Sequence, residues 1–211
     1  FDDSGDDTVR LEGDMGSLVV VGSGSDLLLW YGSQDVLGIR NGASGTIEHF
    51  DINGSLLSAQ ELMAQYGQGT FQGVDQNGNA LRLGGALWDT LTSDTGHVTL
   101  AGGAGNDTIH STGGNNLFIY NRGDGSDRIV DWRTVADPGA PNTLRFGPGI
   151  VPTDLLLTAR NGSLVLSIGT DTITIDGFDP ARPLEGPGID RFVFNDGEVL
   201  TRAALLDRGV L

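Results

Sequence analysis

The sequence predicts an all-β protein: a stack of short strands flanked on both sides by β-meander modules, each ending in a short helix. Three observations predict it. Apolar residues recur every nine positions through residues 84–118. Glycine supplies 34 of 211 residues, more than twice the usual share of about 7%. The two flanks resemble each other, and both alternate apolar and polar residues in short runs bounded by turn residues.

The repeat is read in nines from Gly84: GGALWDTLT, SDTGHVTLA, GGAGNDTIH, STGGNNLFI. Its eighth position holds Leu91, Leu100, Ile109 and Phe118. Its sixth holds Asp89, Val98, Asp107 and Asn116, and its fourth holds Leu87, Gly96, Gly105 and Gly114. After Phe118 the spacing slips by two, and YNRGDGSDRIV supplies Asp124, Asp127 and Ile129. The third nonapeptide satisfies every fixed position of G-G-x-G-x-D-x-U-x.

This pattern resembles the RTX (repeats-in-toxin) calcium-binding family. The resemblance implies a parallel β-roll in which six residues turn and three form a strand. Glycines let turn carbonyls converge, and the aspartate adds a hard carboxylate oxygen. Calcium takes about six to eight oxygens, which carbonyls and carboxylates together supply. The metal ligands so implied lie in the turns of Gly84, Ala86 and Asp89; of Gly102, Gly103, Ala104, Gly105 and Asp107; and of Asp124 and Asp127. Asn116 and Asp7 complete the set. Two nines make one coil, so Asp89, Asp107 and Asp127 share one edge of the roll. The other edge carries Val98, which has no side-chain oxygen, and neutral Asn116, and is expected to hold calcium weakly or not at all.

In the C-terminal flank, residues 155–160 and 163–168 read as a hairpin on Asn161-Gly162. Residues 171–176 and 190–194 read as further strands, and 201–208 as a helix stopped at Gly209. In the N-terminal flank, Ser58 and Glu61 form a capping box for a helix ending at Gly67. Residues 26–31 align with 163–168, 47–50 with 189–192, and 3–9 with 123–129. The C-terminal flank resembles the haemolysin-type calcium-binding-related domain. We divide the chain into an N-terminal cap module (1–67), an RTX β-roll (68–141) and a C-terminal cap module (142–211). Caps are required because the end of a solenoid exposes its core and its strand edges.

The net charge is −16, from 28 acids and 12 bases, and every base is arginine. That charge disfavours nucleic acid and anionic membrane surfaces. With no cysteine, disulfides and thiolate metal sites are excluded. No run of about 20 apolar residues is present, and no signal peptide opens the fragment, which reads as a cut from a larger parent chain. Asp75-x-Asn77-x-Asn79 opens like an EF-hand loop, but Ala80 and Ala86 replace its essential glycine and final glutamate. Arg122-Gly123-Asp124 and the acid pair Asp2-Asp3 sit in turns that already explain them. No catalytic set is legible, so the fragment is not expected to be an enzyme. The resemblance implies a calcium-binding segment of a toxin or exoprotein. Such a segment would leave the cell unfolded through the type I secretion machinery and fold outside on calcium. The alternatives are an adhesin or sugar-binding module, and an accessory segment of a secreted lipase, protease or epimerase.

Overall fold

Short strands between glycine-rich turns cannot bury a face alone, so each must stack on a neighbour from another repeat. The computed structural model describes residues 6–13, 18–23, 26–31, 35–39, 47–67, 70–74, 79–133 and 139–209. The pair Asp2-Asp3, and the segment 75–78 that opens the EF-hand-like run, lie outside them.

The N-terminal module begins with β1 (Thr8–Leu11), followed by an antiparallel meander of β2 (Val19–Ser23), β3 (Asp26–Tyr31) and β4 (Asp35–Ile39). Next, β5 (His49–Ile52) pairs in parallel with β1 and turns at Asn53-Gly54 into antiparallel β6 (Ser55–Leu57). Helix α1 (Ala59–Tyr66) follows, closed at its start by the Ser58–Glu61 capping box. The cap satisfies N–H groups that have no partner inside the helix. Leu62 and Met63 form its buried face.

The roll opens with β7 (Phe71–Val74), which covers the edge of β8 (Ala80–Leu83) in antiparallel fashion. From there the chain alternates between two sheets through β9 (Thr90–Ser93), β10 (Val98–Ala101), β11 (Thr108–Ser111), β12 (Leu117–Tyr120), β13 (Asp127–Asp131) and β14 (Thr143–Phe146). Even-numbered strands pair in parallel in one sheet and odd-numbered strands in the other. The register places Leu91 on Ile109 on Ile129, and Leu100 on Phe118 on Leu144. These eighth-position side chains point inward and stack, giving the roll its core.

The C-terminal flank continues both sheets. β15 (Leu155–Arg160) and β16 (Ser163–Ile168) form the expected hairpin, and β17 (Asp171–Asp176) then pairs in parallel with β13. β18 (Arg191–Val193) joins β14 in parallel and turns into β19 (Val199–Thr201), which leads to α2 (Arg202–Leu206). The helix is three residues shorter than the sequence suggests: Thr201 is its N-cap, and beyond Leu206 the chain tightens into i→i−3 bonds, with Arg208 N–H donating to Leu205 O and Gly209 N–H to Leu206 O. The resulting sheets have orders β19-β18-β14-β12-β10-β8-β7 and β15-β16-β17-β13-β11-β9. A single buried cluster runs from Leu91 to Leu205, across residues 141 and 142.

The two flanks share one topology, but one alignment needs correcting. β1 pairs with β5, and β14 pairs with β18, in each case just before the last hairpin and helix. The counterpart of TVRL (Thr8–Leu11) is therefore TLRF (Thr143–Phe146), not the strand that follows residues 123–126. A second cluster, including Val20, Phe50, Leu62, Met63, Leu83 and Ala101, seats the N-terminal module on the outer face of β8 and β10. Strand alternation makes this possible: Leu100 faces the roll interior while Ala101 faces the module.

Candidate metal centre

The sixth residue of each repeat has a structural role before any chemical one. On the first edge, Asp89 N–H donates to Asp107 Oδ1 at 2.8 Å, and Asp107 N–H donates to Asp127 Oδ1 at 3.0 Å. On the second edge, Val98 N–H donates to Asn116 Oδ1 at 3.1 Å, and Asn116 N–H to Asn142 Oδ1 at 3.0 Å. Asn142 N–H in turn donates to Asp190 Oδ2 at 2.8 Å. Each side-chain oxygen thus satisfies the backbone of the preceding coil, a task that Asn and Asp perform alike.

The edges differ in the remaining atom of that side chain. Asn116 Nδ2 donates to the carbonyls of Thr112 at 3.2 Å and Gly113 at 3.4 Å. Its amide is spent on the protein, so Asn116, proposed from the sequence as a ligand, has both polar atoms engaged. Asp107 Oδ2 is buried, finds no partner, and lies so close over Gly102 that a Cβ there would overlap it. A carboxylate oxygen only accepts, and burying one unpartnered is costly. The same turn presses on its neighbours: a Cβ on Gly103 or Gly105 would run into the carbonyl oxygens of Gly85 or Leu87 in the coil beneath. Both glycines also take positive φ, 85° and 136°.

The structure brings together on this edge the turn of Gly84, Ala86 and Asp89, the turn of Gly102, Gly103, Ala104, Gly105 and Asp107, and the turn of Asp124 and Asp127. Asp89 Oδ2 accepts from Gly85 N–H at 2.7 Å, and Asp124 Oδ2 from Asn121 N–H at 2.7 Å. Asp107, Asp124 and Asp127 are all buried. Burial, above all, raises their pKa values to about 7, about 6 and about 8. Mutual repulsion among the carboxylates adds to the rise, while the N–H donors oppose it. Among the described residues no three His, Asp or Glu side chains converge on one point. A cation here would take one or two carboxylates and fill its shell from turn carbonyls, a donor set that suits calcium. Asp7 lies elsewhere. Its N–H donates to Glu48 Oε2 at 2.8 Å, as Asn142 donates to Asp190, so it occupies the place of Asn142 and not that of Asp127.

Sequence reasoning missed two groups on the second edge. Arg133 Nε donates to Asp131 Oδ2 at 2.7 Å, and its Nη2 to Gly188 O at 2.6 Å and Asp190 Oδ2 at 3.0 Å. Arg202 donates to the carbonyls of Ile189 at 2.8 Å and Pro187 at 2.9 Å. Here guanidinium groups supply positive charge to converging carbonyls and carboxylates. No spacing signal could have found them, because Arg133 and Asp190 are 57 residues apart.

Residues 83–118 match the family described as RTX calcium-binding nonapeptide repeat, in four copies. These residues are RTX repeats, and they bind Ca2+. Residues 154–204 match the haemolysin-type calcium binding protein related domain. No curated protein matches the chain. Among solved structures it is similar to the extracellular lipase LipA from Serratia marcescens, at 18% identity and a TM-score of 0.38. The match covers 84% of this chain and 31% of that chain, so this chain spans under a third of the lipase. At that similarity nothing of the lipase's activity transfers.

The RTX edge sets a pH dependence for the metal-free chain. A carboxylate whose folded pKa is raised stabilises the fold below its unfolded value and loses that contribution as pH rises through the folded value. For Asp124, Asp107 and Asp127 the loss begins near the ordinary value of 3.8 and is complete at about 6, about 7 and about 8 respectively. In chelator, far-UV circular dichroism is expected to show more β structure at pH 5 than at pH 8.5. Identical spectra at the two values would remove the burden assigned to these carboxylates.

Proposed function

We propose that this chain is the calcium-responsive folding segment of a larger secreted bacterial protein, exported unfolded through a type I machinery and folded outside the cell. On this reading the first edge of the RTX roll holds calcium through Asp89, Asp107, Asp124 and Asp127. The turn carbonyls around Gly84, Ala86 and residues 102–105 complete the shell, and Asp107 serves the sites on both sides of it.

The observation that carries the reading is the contrast between Asp107 and Asn116. They fill the same repeat position and the same ladder, yet Asp107 keeps a buried, acceptor-only oxygen while Asn116 is fully satisfied. Bound calcium supplies the positive charge that such oxygens require. Without it, the net charge of −16 and the buried carboxylates of Asp107, Asp124 and Asp127 oppose the roll. Each site at 100-fold its dissociation constant adds about 2.7 kcal/mol. Two sites therefore add stability on the scale of a whole domain, roughly 5–15 kcal/mol.

A circular dichroism titration tests this. Millimolar calcium is expected to raise the β signal of the chelated chain at pH 7.5. Magnesium is expected to substitute poorly, because it demands a tight octahedral shell and gives up water reluctantly. A spectrum indifferent to calcium would sink the proposal; partial order in chelator, held by the flanks, would not.

A further inference from the structure

The last coil of the second edge closes on a cation that belongs to the chain itself. Asp131 ends β13, and Asp190 stands just before β18. The Arg133 guanidinium lies between their carboxylates: Nε donates to Asp131 Oδ2 at 2.7 Å and Nη2 to Asp190 Oδ2 at 3.0 Å. Nη2 also donates to Gly188 O at 2.6 Å, and Nη1 to Ala140 O at 3.3 Å. Two carboxylates and two carbonyls thus converge on one buried positive group, whose side chain is 7% exposed against 0% for Asp131. Hard oxygens of both kinds are what calcium takes. Here a planar fork of N–H donors takes them instead.

The same carboxylates are tied into the ladder of the second edge. Asp131 Oδ2 accepts from Gly188 N–H at 2.8 Å and from Asn142 Nδ2 at 3.1 Å. Asp190 Oδ2 accepts from Asn142 N–H at 2.8 Å, and Asn142 Oδ1 accepts from Asn116 N–H at 3.0 Å. Arg202 Nη2 comes within 3.7 Å of Asp190 Oδ1 and otherwise serves carbonyls. The two acids are therefore balanced by Arg133 and Arg202. On the first edge, by contrast, Asp107 Oδ2 is buried without a partner.

We propose that Arg133 is a tethered counter-cation filling a calcium-type site where the roll meets the C-terminal module, so that this junction closes without metal and takes calcium only when the guanidinium is removed. The contrast rests on the calcium reading of the first edge; the second edge has the opposite dependence.

Amide hydrogen exchange on the full chain, in calcium and in chelator, reads both edges. Chelator is expected to speed exchange of the Asp89 and Asp107 N–H groups at least ten-fold more than that of Asn142 and Gly188. Equal acceleration at the two edges would overturn the proposal. Acceleration at neither would leave the junction metal-independent, as proposed, and refute the calcium reading of the first edge instead.

Arg133→Ala empties the nest and leaves its four oxygens. In this variant the Asn142 and Gly188 amides are expected to exchange at least ten-fold faster in chelator and to regain protection in millimolar calcium. Arg133→Lys, which keeps a positive charge, is expected to behave as the unmodified chain. Adding Asp190→Asn to Arg133→Ala is expected to abolish the calcium response of Gly188, whose own acceptor is Asp131, while Asp89 still responds. If calcium does not restore protection in Arg133→Ala, or restores it equally with Asp190→Asn present, the nest holds no calcium and the proposal falls.

Discussion

Deleting residues 142–211 is expected to abolish calcium-driven folding, although every intact nonapeptide remains. The deletion strips β14 from β12 and β17 from β13. Phe118, Tyr120 and Ile129, each now almost fully buried, would face solvent at the open end. Burial of such a side chain contributes roughly 1.5–3 kcal/mol, so losing three approaches the entire stability of a domain, about 5–15 kcal/mol. Asn116 N–H would also lose its acceptor, Asn142 Oδ1, leaving a buried donor unpaired. The check is the β signal of the truncated chain in millimolar calcium. Folding at the calcium midpoint of the full chain would refute the capping role of the C-terminal module.

Replacing Asp107 is expected to separate the two tasks of its carboxylate. Asp107→Asn keeps an oxygen to accept from Asp89 N–H and adds an NH2 group where the unpartnered oxygen lies. Asn116 shows that such an amide is accommodated on the other edge. The Asn variant should therefore be more stable than the parent in chelator and bind calcium more weakly, by at least ten-fold. Asp107→Ala loses both tasks. It leaves Asp89 N–H unpaired, at about 1–3 kcal/mol, and removes the carboxylate proposed to serve two sites. Asp89→Ala removes the acceptor of Gly85 N–H within its own turn, and its effect should be smaller. Calcium titrations with denaturant unfolding distinguish the cases. Equal losses from Asp89→Ala and Asp107→Ala would contradict the shared position of Asp107.

Much of this edge was legible from residue order alone. The nine-residue period located Asp89 and Asp107 on one edge, and the ladder bond between them spans the 18 residues of one coil. The slip after Phe118 reappears as the 20-residue step from Asp107 to Asp127. Leu91 on Ile109 and Leu100 on Phe118 stack as the period requires. The hairpin at Asn161-Gly162 and the capping box at Ser58 are local devices, set by residues a few positions apart. The place of Asp7 was misjudged because Asp-x-φ sequences, with φ apolar, occur before several strands. Only the pairing of β1 with β5 distinguishes them.

The sequence by itself determined the strand period, the inward-facing residues, the glycine turns and the acidic edge, since each is set by local sterics and regular spacing. Tertiary structure alone decided how the ends are joined and how each buried charge is balanced. β17 and β18 extend the roll through partners more than 40 residues away, and Arg133 meets Asp190 across 57. No periodicity encodes such meetings. Asp107 and Asn116 fill equivalent positions, but whether the last atom of each side chain finds a donor, an acceptor or nothing depends on how neighbouring coils close around it. A buried polar atom must be matched by whatever the fold brings within about 3 Å, and that distance is set by packing, not by order along the chain.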